Sequence, residues 1–383
     1  MYQRLIRFPK TNSFFLFGPR GSGKTTWIKE QFKNKKIIFF NFLDENLLKD
    51  LAHSSLFLEE QISALPQPPD WIILDEIQRA PNVLNWVHQM IEEKKWKFVL
   101  TGSSARKLKR GAANLLAGRA FIRHLFPLTS LEMGKDFILE NVLQFGSLPK
   151  TVLLSKEDRI DFLKAYATTY LKEEIREEQI VRNIDPFRLF LECSAQQDTQ
   201  ILNYSKIATQ IGSDPKTVER YYQILTDTLV GFLLEPYERS LRKRQIQHPK
   251  FYFYDLGVKQ SLLNTLQLPI QAHGYAFGKA FENFIINECY RYNEYYQKDF
   301  RFFYLKTKDG VEVDLIVERP GDSPVFIEIK SSERLDPQAP KKLEKITEKV
   351  KNCELRIFCR ERKARKVGKV RILPWQEGIK ELF

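Results

Sequence analysis

The residues with the clearest chemistry lie near the start of the chain, between Gly18 and Thr25. Their order, GPRGSGKT, matches the pattern G-x-x-x-x-G-K-[ST] in full. In this pattern glycines let the backbone approach a polyphosphate, loop N–H groups meet its oxygens, Lys24 reaches the terminal phosphates and the Thr25 hydroxyl can bind Mg²⁺. The pattern predicts an ATP or GTP site formed by Gly18, Pro19, Arg20, Gly21, Ser22, Gly23, Lys24, Thr25 and Thr26.

Two adjacent carboxylates follow a later apolar run of the same region. Asp75 and Glu76 come directly after Trp71 to Leu74, at what would be the carboxyl edge of a buried strand. Ligands of open α/β sheets bind at this edge. We expect Asp75 to hold the water shell of Mg²⁺, and Glu76 to orient or deprotonate the attacking water. Hydroxyls follow the next strand, where Ser103 is the preferred sensor of the γ-phosphate and Thr101 the reserve.

A second and unrelated set of charged residues lies in the C-terminal third. Asp314 lies in the apolar run Val311 to Glu318, while Glu328 and Lys330 share one face of the run Val325 to Ser332. Because an unpaired buried carboxylate costs several kcal/mol, we expect something to compensate these acids. A divalent ion held by both, with Lys330 positioning water, would do so and would serve metal-assisted phosphodiester hydrolysis. An internal salt bridge between an acid and a lysine is the alternative.

The elements that must position the first set follow from recurring short apolar runs. Their spacing is typical of an α/β sheet with helices between the strands. The expected strands are Phe14 to Phe17, Ile37 to Phe42, Trp71 to Leu74, Phe98 to Leu100 and Ala120 to Leu125. The first strand enters the glycine-rich loop and a helix leaves it, which is the order that the phosphate-binding pattern requires.

Between the two sets the pattern is helical. Residues 129–184 are expected to form a helical lid. From Tyr204, a short helix, a turn at Gly212 and a second helix opened by Ser213 or Asp214 follow helix-turn-helix order, and the segment resembles a winged helix. Nucleic-acid contacts are expected near the start of the second helix and near the wing, from Lys216, Thr217, Arg220, Arg242, Lys243 and Arg244.

Composition narrows the class of protein. Lys and Arg total 61 against 48 Asp and Glu, a formal net charge of +13, which favours an anionic partner such as nucleic acid. The 4 cysteines form no C-x-x-C pair, which argues against a zinc site and suits a reducing compartment. No apolar run reaches the roughly 18 residues of a membrane span. We therefore expect a cytoplasmic protein with no membrane partner.

Together, the N-terminal motifs resemble those of the AAA+ ATPases. The likeness is to a prokaryotic family that joins an AAA+ module to a C-terminal domain similar to PD-(D/E)XK nucleases, and it gives Asp75 and Glu76 the Walker B role. Arg119, just before the fifth expected strand, lies where related ATPases carry an arginine finger. A finger that acts in trans on a neighbouring subunit implies a homo-oligomer, expected to be a ring.

The C-terminal motif carries the second half of this resemblance. Asp314 followed by Glu328-x-Lys330, and preceded by Glu282 in an expected helix, is similar to the D…E-x-K core of PD-(D/E)XK nucleases, which include Holliday-junction resolvases. The resemblance implies a nuclease-like site formed by these residues. Fold resemblance does not establish cleavage.

The expected fold class is multidomain α/β. An AAA+ P-loop ATPase core would span residues 1–128, a helical lid 129–184, a winged helix-turn-helix 185–248 and a PD-(D/E)XK nuclease-like domain 249–383. The resemblance implies a Mg²⁺-dependent ATPase that binds DNA and couples ATP hydrolysis to remodelling or cleavage of duplex or branched DNA. The alternative is a nucleotide-switched adaptor for DNA or protein whose nuclease-like domain is inactive. Remodelling of a protein substrate also stays open.

Overall fold

A computed structural model describes residues 2–54, 56–104, 116–170, 184–237, 248–306, 312–345, 350 and 352–383. The chain divides into two compact units. The first unit contains Met1–Leu128 with Asp227–Leu229, and the second contains Thr129–Thr226 with Val230–Phe383.

The first unit is built on a parallel sheet. Its strands are β1 (Ser13–Phe17), β2 (Ile37–Asn41), β3 (Trp71–Asp75), β4 (Phe98–Gly102) and β5 (Ala120–His124). Among the described residues the sheet has 5 strands in the order β2-β3-β4-β1-β5, and each neighbouring pair is parallel. The α/β expectation for this region is therefore confirmed. Its helices are α1 (Lys24–Gln31), α2 (Glu45–His53), α3 (Phe57–Ser63) and α4 (Val83–Lys94), with a 3₁₀ turn at Ile77–Arg79.

Apolar burial explains why these runs form central strands. Every residue of β1, β3 and β4 is buried, as expected for parallel strands covered on both faces. Trp71 at the start of β3 packs edge-to-face on Phe14 of β1 and on Phe32 after α1, at ring-centroid distances of 6.0 and 5.3 Å. This packing fixes β1 and α1 on the same core, so the loop between them has firmly held ends.

The second unit begins with helices. These are α5 (Ser130–Met133), α6 (Leu139–Phe145), α7 (Pro149–Leu153), α8 (Lys156–Ala165), α9 (Ile184–Gln196), α10 (Tyr204–Ile211), α11 (Pro215–Asp227) and α12 (Leu256–Leu262), with a 3₁₀ turn at Gly134–Asp136 and a π-helical turn at Tyr166–Tyr170. Gly212 ends α10 in the left-handed region, with φ 65°. The Asp214 side chain accepts the Thr217 N–H at 3.0 Å, which caps the start of α11. Of the two expected capping residues, Asp214 is the one used.

A mixed sheet forms the rest of the second unit. Its strands are β6 (Gly231–Pro236), β7 (Lys250–Phe253), β8 (Arg301–Lys306), β9 (Glu312–Glu318), β10 (Val325–Ile329), β11 (Glu354–Cys359), β12 (Arg365–Val367) and β13 (Val370–Pro374). In the described part of the chain their order is β12-β13-β11-β10-β9-β8-β6-β7. The remaining helices are α13 (Tyr275–Tyr296), α14 (Ala339–Glu344) and α15 (Trp375–Leu382). Because β6 and β7 belong to this sheet, the sheet crosses the expected boundary at 248/249, and the four-part domain division stays a prediction.

Helix α13 carries a buried polar face. The polar residues on this face are Glu282, Asn283, Asn287, Glu288 and Arg291, and all of them are buried. The Asn283 amide donates to Asp198 at 2.8 Å, and Glu288 accepts the backbone N–H of Ser130 at 3.0 Å. Buried polar groups need such partners. The helix therefore joins segments that are far apart in sequence.

Two further properties follow from the described residues. Within them, no helix is both long and apolar enough to cross a membrane. All 4 cysteines lie in the described ranges as free thiols.

Candidate functional site

The glycine loop, residues 18–25, leads from β1 into the first turn of α1 and depends on backbone angles that only glycine adopts easily. Gly21 and Gly23 have φ values of 77° and 91°, which favour glycine. A Cβ atom on Gly18 would lie 2.1 Å from the carbonyl oxygen of Leu125, so a larger residue does not fit there. The guanidinium of Arg4 donates to the Ser22 carbonyl at 2.9 Å and supports the loop. The sequence pattern gave no indication of this role for Arg4.

The side chains of the loop are arranged around its inner side. The Lys24 ammonium donates to the carbonyl oxygens of Gly18 at 2.8 Å and Pro19 at 3.3 Å, and only 6% of this residue is exposed. The hydroxyl of Ser22 is buried and has no hydrogen-bond partner within the described residues. A buried polar atom left over in this way indicates a missing ligand or water. Thr26 is exposed and Arg20 half-buried.

Asp75 lies at the end of β3 and is bonded to the glycine loop. Its two carboxylate oxygens accept the hydroxyl of Thr25, at 3.0 Å, and that of Thr101 on β4. Burial is the largest influence on this carboxyl and raises its pKa above the ordinary value, while the hydrogen bond from Thr101 opposes the shift. Thr25 and Asp75, the two residues expected to hold Mg²⁺ or its water shell, are thus hydrogen-bonded to each other.

Glu76 turns out of β3 in the left-handed region, with φ 59° and ψ 46°. Its backbone N–H donates to the Thr101 hydroxyl at 3.1 Å, and its carboxylate accepts the side-chain amide of Gln78. The Ser103 hydroxyl lies 3.5 Å from the same carboxylate oxygen. A non-glycine residue in this backbone region costs about 1–3 kcal/mol, and such strain is concentrated at functional sites.

Gln78 is a site residue that the sequence reasoning missed. Its amide donates both to Glu76 and, at 3.3 Å, to the Ser103 hydroxyl, so it bridges the two. A Cβ atom on Gly102 would lie 2.8 Å from the Gln78 side-chain oxygen, so the glycine makes room for this contact. The sequence signs of this contact were a glutamine two positions after Glu76 and a glycine beside Ser103. Both are ordinary turn residues in sequence, so they did not point to a site.

These groups fit a nucleotide with its magnesium ion. The loop has room for no side chain at Gly18. The Ser22 hydroxyl has no hydrogen-bond partner among the residues that the structure describes, and the oxygens of Thr25 and Asp75 lie 3.0 Å apart. Hydroxyl and carboxylate oxygens are the ligands that Mg²⁺ takes beside phosphates. Thr25 and Asp75 would hold the ion or its water shell. When bound, the ion neutralises charge that develops on the phosphates.

Arg119 lies directly before β5, as expected from the sequence. Its guanidinium forms an ion pair with Glu92 of α4 in the same unit, and it donates to the Ala117 carbonyl at 3.4 Å. The side chain remains 38% exposed. Arg119 is therefore positioned by its own chain while part of it faces solvent.

The C-terminal candidate residues also come together in the structure. We use the name acidic cluster for Glu282 of α13, Glu312 and Asp314 of β9, and Glu328 of β10. Lys330 donates to Glu328 at 2.6 Å, and Asp314 accepts the backbone N–H of Ile329 at 2.8 Å. Burial raises the pKa of Asp314 well above its ordinary value, and the neighbouring Glu328 carboxylate adds to the shift.

Lys250, the first residue of β7, reaches into the acidic cluster. Its ammonium lies 2.8 Å from Glu312 and 3.6 Å from Glu282, and only 1% of its side chain is exposed. Burial alone lowers the pKa of a lysine, but the carboxylates of Glu282, Asp314 and Glu312 raise the pKa of Lys250 above its ordinary value. The sequence analysis missed this residue, because Lys250 merely precedes an apolar run and its partners lie more than 30 positions away.

The acidic cluster does not have the form of a metal site. Within the described ranges, no group of three or more Asp, Glu, His or Cys side chains is arranged to hold a metal ion. Both carboxylate oxygens of Glu282 already have partners, since Tyr252 donates to one at 2.9 Å and Lys279 to the other at 3.2 Å. The residues present therefore do not fit the divalent ion that the sequence motif implies.

The expected nucleic-acid contacts are divided between described and undescribed residues. Lys216 and Arg220 are exposed one turn apart on α11. The Thr217 hydroxyl donates to Asp214 at 2.7 Å and so takes part in the helix cap. The remaining candidates, Arg242, Lys243 and Arg244, lie outside the described residues.

The class that this fold and site define agrees with the protein-family comparison. Residues 10–134 match the family described as AAA domain. The parallel sheet, the glycine loop and the acid pair therefore form a P-loop ATPase-like domain that is similar to AAA domains. Residues 136–268 and 277–377 match two families described as domains of unknown function.

Similar proteins cover most of the chain. An uncharacterized protein of Mycobacterium tuberculosis is 27% identical over 317 residues, which is 82% of this chain and 69% of the relative. An uncharacterized protein of Methanocaldococcus jannaschii is 24% identical over 330 residues, or 79% of this chain and 71% of the relative. A solved structure, a Walker-type ATPase of Pyrococcus abyssi, aligns with a TM-score of 0.45 and 13% identity, over 65% of this chain and 90% of that one.

Proposed function

We propose that the first unit hydrolyses ATP in the presence of Mg²⁺. The observation that carries this proposal is the hydrogen-bonded series from Thr25 through Asp75 to Thr101, with Glu76 directly beside it. These contacts support Thr25 as a ligand of Mg²⁺, Asp75 as the carboxylate that orients the ion's water shell, and Glu76 as the base, all at one sheet edge. The AAA-domain match favours ATP over GTP.

Each side chain has a separate part in this proposal. The Lys24 ammonium donates to the carbonyl oxygens of Gly18 at 2.8 Å and Pro19 at 3.3 Å. When the nucleotide binds, Lys24 gives up these hydrogen bonds and donates to phosphate oxygens instead. Glu76 orients the attacking water and accepts its proton. Ser103, which lies 3.5 Å from the Glu76 carboxylate, is the candidate sensor of the γ-phosphate. Gln78 sets the direction of the Glu76 carboxylate through its amide.

We further propose that the active form is a homo-oligomer, expected to be a ring, in which Arg119 acts on the nucleotide of a neighbouring subunit. Its support is the position of Arg119 just before β5 and the partial exposure of its side chain. An arginine supplied in trans stabilises the charge that develops in phosphoryl transfer. In the single chain, Glu92 holds this guanidinium, so formation of the oligomer would exchange one carboxylate partner for phosphate.

DNA is the proposed partner of the second unit. The support is the exposed pair Lys216 and Arg220 on α11, together with the sequence resemblance to a winged helix and to PD-(D/E)XK nucleases. The net charge of +13 belongs to the whole chain and favours an anionic partner without assigning it to this unit. Basic side chains at a helix start contact the phosphate backbone. ATP hydrolysis would then remodel duplex or branched DNA, and we place this activity in the cytoplasm because the free thiols suit a reducing compartment.

A second candidate is a nucleotide-switched adaptor that binds DNA or protein and does not cut DNA. The observation in its favour is the contact of Lys250 with two carboxylates of the acidic cluster. Internal neutralisation of these acids supports the salt-bridge alternative over a metal-dependent nuclease.

One experiment separates the candidates. ATP turnover is measured with the purified full chain and Mg²⁺, alone and with single-stranded, duplex and four-way-junction DNA, while gels follow the DNA. The proposal predicts turnover that one form of DNA stimulates, with the DNA left intact. Cut DNA would favour the nuclease, and turnover unaffected by any DNA would favour the adaptor or a protein substrate.

A further inference from the structure

Four lysines face the four carboxylates of the acidic cluster. Besides Lys250, which contacts Glu282 and Glu312, these are Lys279 at 3.2 Å from Glu282, Lys306 at 3.4 Å from Glu312 and Lys330 at 2.6 Å from Glu328. The formal charges therefore balance without any added ion. With all four lysines in place, an added divalent cation would leave an excess of positive charge, which is strongly unfavourable where it is buried.

The lysines differ in how firmly they are held. The side chains of Lys306 and Lys330 are 49% and 43% exposed, so each can swing into solvent. Lys250 has 1% of its side chain exposed, its ammonium lies 5.2 Å from the centre of the Tyr304 ring, and β7 pairs with β6 along its length. Its side chain is enclosed by these contacts. Its charge is therefore a permanent part of the cluster.

We propose that Lys250 is a built-in counter-ion that takes the place of a divalent metal in the acidic cluster, which makes this centre metal-free and structural. The position supports it: Lys250 lies between the acid of α13 and an acid of β9, and so ties the strand pair β6–β7 to the helix and the rest of the sheet. The proposal concerns the second unit alone and does not rest on ATP hydrolysis.

One carboxylate oxygen of the acidic cluster is the position that a cation would most readily use. Glu328 Oε2 is buried and has no hydrogen-bond partner in the part of the chain that the structure describes. It is the oxygen that a cation would use first if the cluster bound one. A single oxygen of this kind does not complete a coordination shell, since Mg²⁺ and Mn²⁺ take about six oxygen ligands.

The test measures how much Mn²⁺ the nucleotide-free full chain binds. The readout is the decrease in the electron paramagnetic resonance signal of free Mn²⁺. We expect the wild type and Asp314→Asn to bind the same amount of Mn²⁺ per chain. We expect Lys250→Met to bind one further Mn²⁺, and Lys250→Met with Asp314→Asn to lose it again. The matched control is Lys259→Met, because Lys259 is also buried but is paired with one carboxylate, Asp198, at 2.8 Å. This control should gain no site.

Two results would overturn the proposal. The first is a Mn²⁺ site in the wild type that disappears in Asp314→Asn. The second is a folded Lys250→Met protein, verified by circular dichroism, that gains no Mn²⁺. If Lys250→Met does not fold, the comparison of the wild type with Asp314→Asn still decides. Since no nucleotide is present, failure here is distinct from failure of the proposed ATPase activity.

Discussion

The carboxylates of the two units differ in the groups that face them. In the first unit, the hydrogen bonds to Asp75 come from the neutral hydroxyls of Thr25 and Thr101. In the second unit, lysines face the acidic cluster, and the least exposed of them is Lys250. Hydroxyls orient a carboxylate and leave its charge for a cation, whereas an ammonium cancels that charge. A metal should therefore be assigned to acids at a sheet edge only after the groups that donate hydrogen bonds to their carboxylates have been identified.

The largest effect should come from the loop lysine. Lys24→Ala removes the ammonium that would meet the terminal phosphates, so we expect ATP turnover to fall to background while the thermal midpoint changes little. The measurement is steady-state release of phosphate with Mg²⁺. A variant that hydrolyses ATP at the normal rate would remove the basis for placing catalysis at this loop.

Replacement of the candidate base should separate binding from hydrolysis. Glu76→Gln keeps the size of the side chain but removes the proton acceptor, and we expect turnover to fall by about 10²–10⁴-fold with ATP still bound. Binding of a fluorescent ATP analogue and single-turnover hydrolysis measure the two steps. Equal losses of binding and turnover would assign Glu76 to the binding of nucleotide.

Replacement of Lys250, the buried lysine of the acidic cluster, should lower the stability of the protein and leave its ATP turnover intact. Lys250→Ala leaves Glu282 and Glu312 without their shared ammonium, and removal of one partner from a buried ion pair costs roughly 3–5 kcal/mol of stability. Chemical denaturation measures this loss, and ATP turnover per folded molecule should be retained. The control is Lys330→Ala, because Lys330 is half exposed and should cost less. Equal losses in both variants would contradict the special role of Lys250.

A smaller effect is expected at Gln78. Gln78→Ala removes one hydrogen bond to the Glu76 carboxylate. If this raises the activation free energy by about 1 kcal/mol, turnover falls roughly fivefold. The Michaelis constant for ATP should change little, since the hydrogen bonds of Gln78 are to Glu76 and Ser103. Faster turnover in this variant would show that Gln78 holds Glu76 in a resting position.

The smallest effect concerns the surface pair of Arg119 and Glu92. Glu92→Gln releases the guanidinium, and we expect neither thermal stability nor turnover of the oligomer to fall, because exposed ion pairs contribute little. Arg119→Ala should lower turnover only at protein concentrations where the chain is oligomeric. Turnover plotted against protein concentration checks this, and an effect of Arg119→Ala in the monomer would contradict a role in trans.

Local patterns in the sequence were sufficient to predict where the residues of the candidate nucleotide site lie in the first unit. The eight residues from Gly18 to Thr25, and the acids after β3, lie at positions that strand and loop order alone assigns. The contacts of Gln78 and Lys250 depend on tertiary structure, and neither residue has a distinctive neighbour in sequence. The same holds for α13, where polar residues that would ordinarily predict a solvated face are buried against distant segments.

The buried polar face of α13 also determines how the second unit can be divided. A chain that began at residue 249 would lose Asp198 and Ser130, the partners of Asn283 and Glu288. Both side chains would keep partners within α13 but would lose these bonds to distant segments, which disfavours folding. We therefore expect that recombination between proteins exchanges this unit whole, and that its helical and sheet portions diverge together in evolution.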